Sequence, residues 1–211
     1  MKIIQLFGMI VLMIVFIGCN TDIVDDGMKE FHKGNKEKSI KLWSKACNDG
    51  NVKGCFYLGA LYDYEKGKLR NKKKAKELYT KACNGGNAKG CFNLGSMYSY
   101  GKGIKQNKKK AKELYSKACD GGASLGCFLL GLMYGEGDGI KKDKKKALIL
   151  YNKACNNGIA DGCFKLGFIY TNGDGVKKDK KKALTLYNKA CLGGYSDGCK
   201  NYKILRKQGI E

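Results

Sequence analysis

The chain of 211 residues contains no proline, one histidine, one tryptophan and only two arginines, Arg70 and Arg206. Without proline, glycine must punctuate the chain, and 30 glycines are present. With His32 as the lone imidazole, a zinc site of several histidines is excluded, and no Ser-His-Asp constellation can be assembled convincingly. The arginine shortage bears on partners. The formal charge is +22, almost all of it from lysine. Guanidinium forks read phosphates and guanine edges bidentately, whereas ammonium groups act as solvated point charges. Such a composition points away from sequence-specific nucleic-acid recognition. It fits loose attraction to anionic surfaces, or simply solvated faces. No stretch alternates apolar and polar residues as a half-buried strand would.

Cysteine, by contrast, is plentiful. Ten of the eleven fall into five pairs eight positions apart, 47/55, 83/91, 119/127, 155/163 and 191/199, and the remaining one is Cys19. Before it, "IIQLFGMIVLMIVFIG" follows the single basic Lys2. This layout predicts a signal sequence over 1–18, a linker over 19–28 and a repeat domain over 29–211. The segment resembles a bacterial lipoprotein signal, which implies lipidation of Cys19; a retained anchor or cleavage without lipid are the alternatives. An even cysteine set plus one outlier at the cleavage point suits an exported protein with a disulfide framework.

The first cysteine of each pair recurs every 36 residues, the mark of a repeat array. Each unit carries two helical stripes. Cys91, Leu94, Gly95 and Tyr98 follow i, i+3, i+4, i+7, and so do Ala75, Leu78, Tyr79 and Ala82. A helix A, a loop and a helix B are therefore predicted per repeat. Asn71, Asn107, Asp143 and Asp179 are expected to cap the B helices. Glycines 59, 95, 131 and 167 lie mid-helix, which predicts a close neighbour. A degenerate helix A is expected around 23–33, and 197–208 as a closing helix.

Along one straight helix, eight residues separate two cysteines by ~12 Å, beyond disulfide reach. Each pair here straddles a break containing Gly-Gly, Asp-Gly or Asn-Gly, so the chain can turn back and bond Cys47–Cys55, Cys83–Cys91, Cys119–Cys127, Cys155–Cys163 and Cys191–Cys199. Zinc would need two pairs to converge, although successive repeats lie on the order of 10 Å apart against Zn–S bonds of ~2.3 Å. Redox catalysis needs one low-pKa thiol rather than five similar pairs. No metal and no cofactor are expected.

The pattern L-G-x-x-Y, then G-x-G-[IV]-x-x-D-x-x-K-A-L-x-L-Y-x-K-A, resembles the Sel1-like repeat, a tetratricopeptide-like unit. With cysteines closing helix B and opening the next helix A, the chain is similar to the Helicobacter cysteine-rich protein family over about 29–205. That resemblance implies an all-α, right-handed α/α solenoid of about five repeats, with helix A lining the concave side.

One helix-A stripe changes in every unit: Tyr57-Ala60-Tyr64, Asn93-Ser96-Tyr100, Leu129-Leu132-Glu136 and Lys165-Phe168-Asn172. From it, Tyr57, Tyr64, Asn93, Tyr100, Leu129, Leu132, Lys165 and Phe168 are the candidate groove residues, with inter-repeat packing as the alternative use. The expected function is an exported scaffold, periplasmic, anchored at the outer membrane or secreted. It would act as a monomer and bind a peptide, protein or cell-wall-derived ligand. The resemblance also implies a rival reading, penicillin binding with β-lactamase activity on β-lactams. For that reading the residues offer only Ser99-Tyr100-Gly101-Lys102, a Ser-x-x-Lys that lacks S-D-N and K-T-G partners.

Overall fold

The structure is a computed structural model that describes residues 23–211 (for Lys68, the backbone alone). The expected signal sequence over 1–18 and the expected lipidation site Cys19 lie outside the described residues. Eleven α-helices, one 3-10 turn (Gly67–Leu69) and no strand occur among those residues. They run α1 (23–32), α2 (Lys36–Asn48), α3 (Val52–Tyr64), α4 (Lys72–Asn84), α5 (Ala88–Tyr100), α6 (Lys108–Asp120), α7 (Ser124–Glu136), α8 (Lys144–Asn156), α9 (Ala160–Asn172), α10 (Lys180–Leu192) and α11 (Ser196–Lys207). Odd-numbered helices are of type A and even-numbered ones of type B. The chain divides into two compact units, one ending at Gly90 and one comprising Cys91–Glu211.

The loop from A to B is fixed at both ends by one residue. The backbone N–H of Asn71, Asn107, Asp143 and Asp179 donates to the carbonyl of Tyr62, Tyr98, Tyr134 and Tyr170 at 2.8–2.9 Å. The side-chain oxygen of each cap residue accepts from the backbone N–H of the third lysine of the following run at 2.9–3.0 Å. Each thus satisfies a carbonyl that helix A leaves open and an amide that helix B leaves open.

Two glycine positions set the helix spacing. A Cβ on Gly131 would lie 2.8 Å from the ring of Tyr151, and one on Gly167 2.8 Å from Tyr187, so helices A and B of a repeat touch through ring against bare backbone. A second contact joins helix B to the next helix A: a Cβ on Gly126 would lie 2.8 Å from Ala118, and one on Gly54 2.7 Å from Ala46. At that approach Cys47–Cys55, Cys119–Cys127, Cys155–Cys163 and Cys191–Cys199 are bonded, with Cα atoms 4.5–4.6 Å apart. Cys83 and Cys91 are also disulfide-bonded. The turn inside each pair needs a left-handed residue, supplied by Gly50, Gly122, Gly158 and Gly194 at φ 84–90°.

The degenerate helix A expected around 23–33 is present as α1, which overlaps the end of the 19–28 span read as linker: Val24 is buried and its carbonyl accepts from Trp43 Nε1 at 3.1 Å. Gly27 lies under the indole as Gly131 lies under Tyr151. The periodicity was obscured because the loop between α1 and α2 is four residues shorter than that between α3 and α4.

Candidate functional site

In the unit comprising 91–211, the variable stripe of the A helices borders three hollows. The first, about 220 Å³, is lined by Tyr100, Leu129, Leu132 and Glu136, with Ser99, Lys108, Tyr115, Met133 and Asp138. The second, about 150 Å³, is lined by Glu136, Lys165, Phe168 and Ile169, with Gly135, Lys144, Ala147, Tyr151 and Asp174. The third, about 310 Å³, is lined by Phe168, Thr171, Asn172, Asn201, Ile204 and Gln208, with Lys180, Tyr187 and Leu205. Moving 36 residues along the chain turns one lining into the next: Leu132 into Phe168 into Ile204, Tyr115 into Tyr151 into Tyr187, Lys108 into Lys144 into Lys180.

Each hollow therefore has an apolar wall from one A helix, a tyrosine at its foot and a lysine at its rim. Two of the tyrosines are held by hydrogen bonds. Tyr115 hydroxyl donates to Ser96 Oγ at 3.3 Å, and Thr171 Oγ1 donates to Tyr187 hydroxyl at 3.2 Å. Burial, with the Glu136 carboxylate as the smaller cause, pushes the Tyr151 phenol up to about 12. Burial also raises Tyr115, against the opposing hydrogen bonds from Ser96 and Ser99. The rim lysines bridge to the next repeat: Lys108 pairs with Asp138 at 2.6 Å, Lys144 with Asp174, and Lys180 Nζ donates to Gln208 Oε1 at 3.3 Å.

Of the expected groove residues, Tyr100, Leu129 and Leu132 meet in the first hollow, and Lys165 and Phe168 in the second. Tyr100 is 58 % and Phe168 51 % exposed, so neither is spent on core packing. Asn93 is half-buried and lines none of the three hollows. In the other unit, Tyr57 stacks on Trp43 with ring centroids 5.6 Å apart, a packing role, while Tyr64 is 71 % exposed.

The hollow walls extend further than the stripe read from the sequence. Asn201 and Ile204 of α11 and Gln208 just after it stand 36 residues after Lys165, Phe168 and Asn172, and they line the largest hollow of the three. Adding one more repeat length to the stripe would have found them; the lysine-rich surroundings of α11 hid its apolar member.

The lysine runs also divide their labour. The first member enters the bridges just described. The third lies over a tyrosine ring: Lys74 over Tyr62, Lys110 over Tyr98, Lys146 over Tyr134 and Lys182 over Tyr170, at 4.3–5.3 Å from the centroid. Ser99 is buried, and its hydroxyl faces Lys108 Nζ at 3.5 Å, whereas Lys102 lies over the Tyr100 ring at 5.1 Å. The Ser-x-x-Lys spacing thus brings no lysine of its own to Ser99. Among the described residues no group of three histidine, cysteine or acidic side chains could hold a metal ion.

The Sel1 repeat matches residues 27–51, 52–87, 88–122, 124–159 and 160–195. A protective antigen of uropathogenic Escherichia coli with this repeat fold is 27 % identical, at a TM-score of 0.79 over 90 % of this chain and 42 % of that one. A Sel1 repeat protein from Oxalobacter formigenes is 29 % identical, at a TM-score of 0.77 over 84 % of this chain and 70 % of its own. Cysteine-rich protein B of Helicobacter pylori is 38 % identical, at a TM-score of 0.51 over 62 % of this chain and 94 % of its own. No curated protein matches. The chain spans less than half of the E. coli antigen but nearly all of the Helicobacter protein. With cysteines closing each B helix and opening the next A helix, the chain belongs to the Sel1 repeat family and to its cysteine-rich branch.

Proposed function

We propose that this protein binds an extended peptide or protein segment across the A-helix face of residues 91–211. The chain is a disulfide-braced repeat scaffold of the protein-interaction kind, and its bridges assign it to an oxidising compartment outside the cytosol. The observation that carries the finer reading is the row of three hollows in one 36-residue register. A pocket repeated at fixed spacing suits a ligand that is itself a chain, able to seat successive side chains while the rim lysines and Glu136 hold its backbone or charged groups. Placement on the periplasmic side with a lipid at Cys19 is part of the same proposal.

A photo-reactive residue at position 129 or 165, in the first and second hollows, irradiated in the native envelope, tests it. The same crosslinked band is expected from both positions. It should vanish in the Leu132→Glu, Phe168→Glu, Ile204→Glu triple variant and survive in Ile149→Glu, an exposed site on helix α8. Equal crosslinking by the triple variant and by wild type overturns the reading.

A further inference from the structure

We propose that the loop edge of residues 91–211, which borders the hollows through its rim lysines, is an electrostatic docking surface for an anionic lipid bilayer. Three segments form it: 101–112, 137–148 and 173–184. Together they hold sixteen lysines against four aspartates, an excess of twelve out of a net +22 for the whole chain. They are neighbours in space. Asp138 reaches back to Lys108 and Asp174 to Lys144, and a Cβ on Gly175 would touch the Lys144 side chain at 3.5 Å. The lysines of successive repeats thus form one edge rather than three separate clusters.

The four aspartates are already engaged. Asp138 and Asp174 hold the rim lysines, while Asp143 and Asp179 cap α8 and α10. Lys105, Lys109, Lys141, Lys145, Lys177 and Lys181 remain exposed, and none has an ion-pair partner among the described residues. Concentrating unneutralised like charge on one edge disfavours the isolated protein, and a negative surface removes that cost.

Charge density is the property this edge reads. It carries no guanidinium fork for bidentate recognition. Tyr98, Tyr134 and Tyr170 each have a face covered by one of the protein's own lysines. The exposed Tyr100 carries Lys102 at 5.1 Å and Lys108 at 5.9 Å, so the rings near the edge are already engaged by cations rather than held open for stacking a nucleic-acid base. Half-buried Ile104, Ile140 and Val176 sit among the lysines, apolar enough for a headgroup layer. No described helix is long and apolar enough to cross a membrane, so the contact is a peripheral one. Each lysine held near an anionic leaflet strengthens binding by about fivefold, falling off within the Debye length.

The test is flotation of the full chain with vesicles of phosphatidylcholine alone and with about 30 % phosphatidylglycerol. Binding to the neutral vesicles sets the share due to the N-terminal apolar segment, and the increment on adding the anionic lipid is the readout. Replacing Lys105, Lys109, Lys141, Lys145, Lys177 and Lys181 by glutamine is expected to cut the increment at least about a hundredfold. The triple replacement of Lys105, Lys141 and Lys177 should cut it by about tenfold or more and provides the same reading if the larger variant misfolds. Glutamines at six lysines elsewhere in the unit, 117, 153, 189, 200, 203 and 207, should cost far less. Equal losses in the two six-site variants would reduce the effect to net charge and overturn the proposal. So would an increment unchanged by the loop variants, or tighter binding to a soluble single-stranded DNA than to the anionic vesicles.

Discussion

The same scaffold position is occupied differently in the two units, and the occupant decides where a lysine points. In the first unit position 63 is a buried aspartate. Lys72 Nζ donates to its carboxylate and to its carbonyl at 2.7 Å, and the Tyr79 hydroxyl donates to its other oxygen at 3.4 Å. One, two and three repeats later the position is Ser99, Gly135 and Thr171. Without the carboxylate, Lys108 and Lys144 turn outward to the loop aspartates of the following repeat, and open space is left above the tyrosines. A single side chain at the end of helix A therefore separates a closed, ion-paired foot from an open one. Residue 102, which stands 30 positions after Lys72 as Asp138 does after Lys108, is a lysine and could not serve as an acceptor.

The comparison is broken most directly at Asp63. Asp63→Ala strands the Lys72 ammonium in a mostly buried place, and about 3 kcal/mol of stability should be lost in urea unfolding. Lys144→Ala, which removes a half-exposed pair of the second unit, should cost under about 1 kcal/mol by the same measurement. Comparable losses would mean that the inward pair is no special feature of the first unit.

Removing a brace tests whether the units share a common skeleton despite their different feet. Cys119→Ala with Cys127→Ala, and separately Cys47→Ala with Cys55→Ala, should each lower stability by about 2.5 kcal/mol, as expected for closing a loop of this length. A smaller effect is expected at the ring-on-glycine contact. In Gly131→Ala the new methyl meets the Tyr151 ring, and a net loss of about 1–2 kcal/mol should survive the gain in helix propensity. Gly59→Ala, whose Cβ would stand 3.0 Å from the Tyr79 ring, should be milder.

The smallest effect is spectroscopic. Burial raises the folded Tyr151 phenol from an ordinary 10 to about 12, so the folded state holds its proton more tightly than the unfolded state does. Its contribution is therefore whole below pH 10 and fades as the pH climbs toward 12. Absorbance at the tyrosinate band should show one more late-titrating phenol than Tyr151→Phe does, since Tyr115 is raised as well.

Most of the helical plan was written in local periodicity. A 36-residue recurrence, glycine opposite tyrosine, and asparagine or aspartate before the lysines each express a contact inside one repeat or between adjacent ones, so each leaves a trace at fixed spacing. What stayed hidden depends on competition between partners. Nothing in "KKK" distinguishes the first lysine, bound to a loop aspartate 30 residues on, from the third, laid over a tyrosine behind it. That division arises only when helix α6 fixes the three side chains about 100° apart and each finds its own neighbour. Likewise, the helix A around 23–33 reads as degenerate because it pairs with a tryptophan through a loop four residues shorter, which shifts its register.

Each of the four described bridges joins cysteines eight positions apart, whereas 28 residues separate Cys55 from Cys83, the next candidate mate. Closing the shorter ring is entropically easier by about 1 kcal/mol, and the reactive sulfurs are brought together by a turn that forms without the rest of the array. A polypeptide emerging amino end first into an oxidising space can therefore lock one hairpin after another in order of arrival. Mispairing would require waiting for sulfur that has not yet come through, so the repeats proofread their own crosslinking by sequence proximity and make little demand on shuffling enzymes.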